Sequence, residues 1–404
     1  MSAKEASQAM PYAGLRVIDL SQGIAGPSCG SLLARQGADV IKVEPPAGDW
    51  GRLMGDGREG LTPISIGANV GKRALCVDAT SDTGKALLLR LIAEADIVIE
   101  SFRPGVMEAL GLAYETTSAT NLRLIQVSIN GFGSSGPYRD RPGSDSVLQA
   151  ISGMMAMNRD SAGSPRRIGM MIVDAACGVY AAQSVGGALF QRTRTGEGAR
   201  IEVSLLEVVA SLQTIPIIEH SLRGSGDITP ATVPSGTFRT QDGYINVVAL
   251  RNEMFFRLAR ALSHDEWTQR DEWSTNERRL RHANAINEAI AEVLVQDSTA
   301  HWITRLQEHD VLCAAVNDYD GFVSDPQVSH VGIFQRSHIG EWRDVPIAGV
   351  PGVSAIRDGG AGRAPRQGEH SREVLAGIGL SDAEIDALIV CGVVRESAPQ
   401  CRMS

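Results

Sequence analysis

The 404-residue sequence predicts an α/β fold with a doubly wound, mostly parallel sheet, and two observations carry that prediction. Short apolar runs recur through the first half, and segments with helical spacing separate them. A strand that returns parallel to its predecessor needs a crossover, normally a right-handed helix, so the alternation implies helices packed on both faces of the sheet. The runs Leu15–Leu20, Asp39–Val43, Ala74–Val77, Ile97–Glu100 and Leu124–Ile129 each read as buried strands.

Helix signals fill the gaps. PSCGSLLARQG starts with Pro27 at a favoured first-turn position and ends at Gly37, and SDTGKALLLRLIAEA follows polar start residues. AACGVYAAQSVGGALFQRT reads as a further helix. In such a sheet ligands sit at the carboxyl ends of the strands.

The texture changes near Arg223, where RGSGDITPATVPSG is rich in Gly, Pro and Thr. GTFRT and YINVVAL then read as strands joined through Gln241, Asp242 and Gly243, Asp-Gly being a tight-turn signal. Amphipathic helices are expected over Asn252–Leu262, Arg279–Val295 and Thr299–His309. A loop-rich passage from Val331 to Gln367 leads to SREVLAGIGLSDAEIDALIVCGVV, which reads as two short helices. The expected organisation is a large domain over 1–215, a linker over 216–235, a smaller α+β domain over 236–330, a linker over 331–350, and a return to the large domain over 351–404.

A net charge of -9 and a pI near 5.5 argue against a nucleic-acid surface. The apolar stretch after Asp174 is too small and polar to span a bilayer, and the first residues lack the apolar core of a signal peptide, so a soluble cytoplasmic protein is expected. Six cysteines at positions 29, 76, 177, 313, 391 and 401 form no CxxC pair, and no His/Cys spacing suggests a metal. All eight histidines lie at or after His220. Chemistry in the first half must therefore use carboxylates, amides, thiols or backbone donors.

Asp174 stands out there as the one charged residue between Arg167 and Arg192. Two readings fit it: a cap on the following helix, or a carboxylate short of water whose pKa rises and whose ionised form is a strong nucleophile. SQGIAGPSCG places Gly23, Gly26 and Gly30 in a loop opening a helix, with GxxGxxxG spacing that does not match a dinucleotide turn. Such a helix start can receive an anion or a developing oxyanion. Lys72 and Arg73 before one strand, and Arg103 after another, are placed to meet phosphate, although solvated surface charge fits them as well. SINGFGSSGPY is a Gly-rich loop that suits close approach of a substrate, or plain flexibility.

Taken in order, RVIDLSQGIAGPSCGSLLARQGADVIKVEPPAGD, GKRALCVD, ESFRPGVMEALGLAYE, SINGFGSSGPY, the Asp174 segment, RTRTGEGARIEVSLLE, VPSGTFRTQDGYINVV and GEHSREVLAGIGLSDAEIDAL resemble the family III CoA-transferases of the formyl-CoA and L-carnitine CoA-transferase type. The resemblance implies a Rossmann-like large domain, an interlocked homodimer, and CoA and acyl-CoA as substrates with no tightly bound cofactor. It implies that Asp174 attacks a donor such as succinyl-CoA, passing through an aspartyl anhydride and an aspartyl-CoA thioester before a carboxylic acid accepts CoA. It places Lys72 and Arg73 near the nucleotide phosphates, and Ser101, Phe102 and Arg103 along the adenine and pantetheine path. Gln22, Ile24, Ala25, Gly26, Ser144 and Gly236 match substrate or oxyanion positions. Ile24 stands where formyl-CoA transferases carry a Gln, and Gly236 is all that remains of their glycine run, so formyl and oxalyl transfer are not expected. The α-methylacyl-CoA racemases of the same superfamily use a His-Asp dipeptide where this chain has Ser144 and Asp145, and a two-base racemase then lacks one base. Met154, Met155, Met157, Met170 and Met171 suit a less polar acyl chain, or ordinary packing.

Overall fold

The computed structural model describes residues 10–160, 162–224, 230–339, 342–353 and 362–397. The chain divides into a unit of residues 1–214 and 332–404 and a unit of residues 215–331.

In the larger unit the strands are β1 (Arg16–Asp19), β2 (Asp39–Glu44), β3 (Arg73–Val77), β4 (Ile97–Glu100), β5 (Ile125–Asn130) and β6 (Ala199–Ser204). They pair in the order β3-β2-β1-β4-β5-β6, all parallel. A short strand at Val394–Arg395 closes the β3 edge antiparallel. The order in which strands are added to the sheet reverses between β1 and β4, so the crevice beyond their carboxyl ends is where a ligand is received in such folds.

Helices α1 (Ala25–Ala34), α2 (Asp82–Ala93), α3 (Asp145–Ile151), α4 (Ile172–Thr195) and α5 (Leu205–Leu212) cover the sheet. Val17, Ile97, Ile99, Ile125, Val127 and Ile129 meet Leu33 of α1 and Cys177, Ala181 and Val185 of α4 in one core. On the other face, Ile18, Ile41, Val43, Leu75 and Val98 meet Leu87, Leu88 and Leu91 of α2, together with Val374, Leu375 and Ile385 from the C-terminal helices.

One close approach sets the geometry of the first face. A Cβ on Gly178 would lie 2.7 Å from Ser28 Cβ and 3.0 Å from the Ala25 carbonyl oxygen, so α4 touches the start of α1 through bare backbone. Farther along, Gly186 faces the hydroxyl of Tyr12, whose N–H bonds Gln36 just past the end of α1. The two helices therefore run side by side in the same direction, with both starts at the carboxyl edge of the sheet.

In the smaller unit β7 (Ser235–Arg239), β8 (Tyr244–Val248) and β9 (Leu312–Ala315) form an antiparallel sheet. Phe238, Ile245 and Val247 pack there with Phe255, Leu258, Ile290 and Trp302 from its helices.

Several elements differ from expectation. The expected linker over 216–235 contains the helix Thr214–Arg223 and the first residue of β7, with residues 225–229 outside the described ones. The expected linker over 331–350 contains an antiparallel ribbon, β10 (Phe334–Ile339) with β11 (Trp342–Ala348). Both were masked by loop-forming residues that hairpins and helix ends also use. The helix expected over Arg279–Val295 breaks at His282, giving Asn276–Arg281 and Ala283–Leu294. Strands β6 and β9 were not anticipated because charged or small residues dilute their apolar pattern.

Replacing Gly178 with Leu forces side-chain atoms into the α1 backbone and should cost about 1–3 kcal/mol. Urea unfolding checks this through a lower midpoint at unchanged slope.

Candidate active site

Buried ions hold the loop between β1 and α1. The Asp19 carboxylate takes the Lys72 ammonium at 2.7 Å and the Ser21 N–H at 3.0 Å, and Lys72 also bonds the Pro27 carbonyl and Asn69 Oδ1. Lys42 pairs with Asp49 at 2.8 Å and donates to the Ser21 carbonyl. Asp49 Oδ1 accepts the N–H groups of Gly23 and Gly51, each at 2.8 Å. All four ions are almost fully buried. Pairs of this kind contribute little net stability, yet removing one partner is costly because the other charge is stranded. The result is a loop whose path is strongly constrained.

Above it, Ser101 at the end of β4 accepts the Gln22 N–H at 2.9 Å, tying the two strands together at the reversal point. Ile24 and Ala25 follow, and no side chain caps the start of α1. A Cβ on Gly26 would fall 2.3 Å from Ser21 Cβ, so this turn needs glycine.

Asp174 is the third residue of α4, one turn before Gly178 on the same side, beside the start of α1. It does not cap its own helix. Asp145, from the start of α3, does so instead: Asp145 Oδ2 accepts the N–H groups of Val173 at 2.7 Å and Asp174 at 3.2 Å. Gln149, fully buried, donates to Asp145 Oδ1 at 2.6 Å and accepts the Ile168 N–H at 2.9 Å, so one short helix clamps the segment before Asp174 at both ends. The Asp174 carboxylate accepts no hydrogen bond and meets no cation among the described residues. Burial, with the Asp145 charge added, pushes its pKa up to about 7. The partial positive charge of the helix start opposes that rise, and burial prevails. Cys177, one turn along, is pushed up to about 12 by burial and by the charges of Asp174 and Glu207, so it stays a thiol.

A match to CoA-transferase family III spans residues 12–371. The chain belongs to that family. It is 33% identical to the succinyl-CoA–D-citramalate CoA-transferase of Chloroflexus aurantiacus, over 94% of this chain and 96% of the relative. The human succinyl-CoA:glutarate CoA-transferase is 30% identical over 95% of this chain and 90% of its own. The solved structure of a CAIB/BAIF family protein from Brucella suis superposes with a TM-score of 0.82 at 30% identity, covering 92% of this chain and 100% of that one.

Within this family III CoA-transferase the expected site residues separate. Gln22, Ile24, Ala25, Gly26 and Asp174 gather at the carboxyl edge of the sheet around the starts of α1 and α4. Ser101, Phe102 and Arg103 follow β4 at the same edge: Phe102 is half-buried with its N–H on Glu100 at 2.8 Å, and Arg103 is exposed. Lys72 is a correction. Its ammonium is enclosed by three acceptors, so it serves as a buried counter-ion and has no face for a phosphate. Arg73 is likewise engaged, bidentate to Asp39 at 2.9 and 2.7 Å and bonded to Glu373 at 3.1 Å. Ser144 is exposed at the start of α3, and Gly236 lies on β7 in the smaller unit. Met154 is buried, whereas Met157, Met170 and Met171 are exposed. The residues that sequence reading missed are Asp145 and Gln149. Their four-residue spacing on one helix was visible, but the helix start they serve lies far along the chain.

The folded state keeps the Asp174 proton to about pH 7, against 3.8 for an ordinary aspartate. Between those values the folded chain binds more protons than the unfolded one, so this group's contribution to stability falls as pH rises through 7. Asp174→Asn removes that fall, and urea midpoints should show the variant gaining on the parent between pH 5 and pH 8.

Asp145→Asn keeps an acceptor for the two N–H groups but removes the neighbouring charge. Its expected effect is an Asp174 pKa below the parent's, read by NMR titration of the carboxyl carbon. Asp145→Ala also removes the cap and should cost about 1 kcal/mol of stability.

Proposed function

We propose that this enzyme moves CoA from succinyl-CoA to a small carboxylic acid through covalent intermediates on Asp174. The observation that carries this reading is an unpaired, partly desolvated carboxylate beside an uncapped helix start. A carboxylate with a raised pKa is a better nucleophile than an ordinary one, and about half of it is ionised near neutral pH. The relatives named above support succinyl-CoA as donor, since both carry it in their names.

The steps need no net proton transfer. An Asp174 oxygen attacks the thioester carbonyl, the C–S bond breaks, and CoA leaves as thiolate with a mixed anhydride in its place. Thiolate then attacks the Asp174 carbonyl carbon and releases succinate, leaving an aspartyl-CoA thioester. The acceptor carboxylate attacks that thioester, the C–S bond breaks, and CoA thiolate leaves as a second anhydride forms. Attack of thiolate on the acceptor's acyl carbon then gives the new acyl-CoA and frees Asp174. Each transition state places negative charge on a carbonyl oxygen, and the first-turn N–H groups of α1, at Ala25 and Gly26, are suited to receive it. An imidazole is not required, which accords with a histidine-free first half. The reading also includes a homodimer, the assembly that the family resemblance implies.

Asp174→Ala should reduce exchange between succinyl-CoA and a panel of carboxylic acids by at least about a thousandfold, the scale seen when a covalent nucleophile is removed. Incubating the parent with succinyl-CoA and hydroxylamine should leave a hydroxamate on Asp174, detected by peptide mass spectrometry. Retained turnover in the variant, or hydroxamate at another residue, refutes the assignment. Solvent deuterium entering the α-carbon of a 2-methylacyl-CoA without any acceptor acid would favour racemase chemistry.

A further inference from the structure

The residues leading to Asp174 are fastened before and after Arg167. Upstream, the Arg166 N–H bonds the Asn158 carbonyl at 2.7 Å, and the Arg166 guanidinium pairs with Asp160 at 2.7 Å. Ile168 then gives its N–H to Gln149, and Val173 and Asp174 give theirs to Asp145. Gln149 and Asp145 are bonded to each other at 2.6 Å and lie one turn apart on α3. Side chains so placed stand about 5–6 Å from each other at Cβ, so the two ends of the stretch Ile168–Val173 are drawn together. Arg167 enters that stretch, and Asp174 leaves it.

Its side chains are not what local packing requires. The Arg167 guanidinium is exposed and makes no hydrogen bond or ion pair among the described residues, although Arg166 beside it has Asp160. Met170 and Met171 are 53% and 37% exposed, which leaves apolar surface in water on the same stretch. Asp174 follows as an unpaired carboxyl with a raised pKa. A cation in contact would pull that pKa down, so the guanidinium stands off from the carboxyl.

We propose that Arg167 binds the far carboxylate of a dicarboxylic substrate, in the acyl donor and in the acceptor acid alike. This role rests on the reading of succinyl-CoA as donor given above, and it narrows the acceptor to a diacid. A diacyl chain has a reacting carbonyl, a run of methylenes and a terminal carboxylate. Asp174, the exposed methionines and Arg167 offer one match to each. A guanidinium holds a carboxylate through two parallel N–H bonds, and unbranched methionines cover methylenes without polar demands. Arg166, Lys72 and Arg73 cannot take this role, because protein carboxylates already occupy them. A monocarboxylic chain leaves the guanidinium in water at little cost, so preference for diacids is expected and not exclusion of the rest.

Initial rates with succinyl-CoA and with butyryl-CoA as donors test this role, since the two acyl chains match in length and differ in the terminal carboxylate. The parent should prefer succinyl-CoA. Arg167→Gln should raise the KM for succinyl-CoA at least about tenfold with kcat little changed, the pattern of lost uniform binding, and leave the kinetics with butyryl-CoA near the parent's. Arg167→Lys should recover part of the preference. The same loss is expected for glutarate against pentanoate as acceptors. Arg167 is exposed and unpaired, so both variants should fold. An equal fall for both donors marks a structural role and overturns the proposal, as does a preference that survives in Arg167→Gln. A parent with no preference between the donors refutes the succinyl-CoA reading together with Arg167. Exchange retained in Asp174→Ala refutes the nucleophile alone, and the Arg167→Gln comparison still decides the carboxylate site.

Discussion

Two helices meet through bare backbone at Gly178, and the candidate active site follows from that contact. Because no side chain separates α4 from the start of α1, both helix starts come to the same edge of the sheet. Asp174, one turn before the contact, is thereby drawn out of water and beside the uncapped first turn of α1. A bulkier residue at 178 would push the helices apart and rehydrate the carboxylate. Packing and the burial of that carboxyl are therefore set by the same few atoms.

The charges around this point are treated in two different ways. Beneath the loop, Asp19, Lys42, Lys72 and Asp49 are buried in matched pairs, and their hydrogen bonds constrain the path of Ser21–Gly23. In the same region Asp174 meets no cation among the described residues. The N–H of Asp174 itself is taken by Asp145, so the carboxylate gains neither a hydrogen bond from its own helix start nor a positive neighbour. Paired charge makes a rigid floor, and the unpaired carboxyl carries a raised pKa. Local rules are broken at one residue while the surrounding residues obey them, a pattern expected of functional sites.

Much of the large unit was legible because the 2.0 and 3.6 residue periodicities are carried by apolar residues whose burial drives folding. The five strands expected in the first half all form, within a residue or two of their expected ends. What misled was polarity read without a partner. Lys72 looks like a phosphate ligand until Asp19, distant in sequence and adjacent in space, is placed against it. The run Leu124–Ile129 looked buried on both sides, but Gln126 and Ser128 sit on a face that opens into a cavity. Strand β6 went unread because Arg200 and Glu202 interrupt its apolar pattern, and that same face explains them.

Sequence alone determined the α/β class, the large parallel sheet, the family, and Asp174 as the exceptional residue of its segment. Those properties rest on local periodicity and on ordered motifs, which need no knowledge of distant contacts. Tertiary structure decided that Asp174 does not cap its helix. The deciding group, Asp145, lies 29 residues earlier and reaches the helix start only after α3 has packed against it. A hydrogen bond can be claimed by whichever acceptor arrives, and only the folded chain determines which one does.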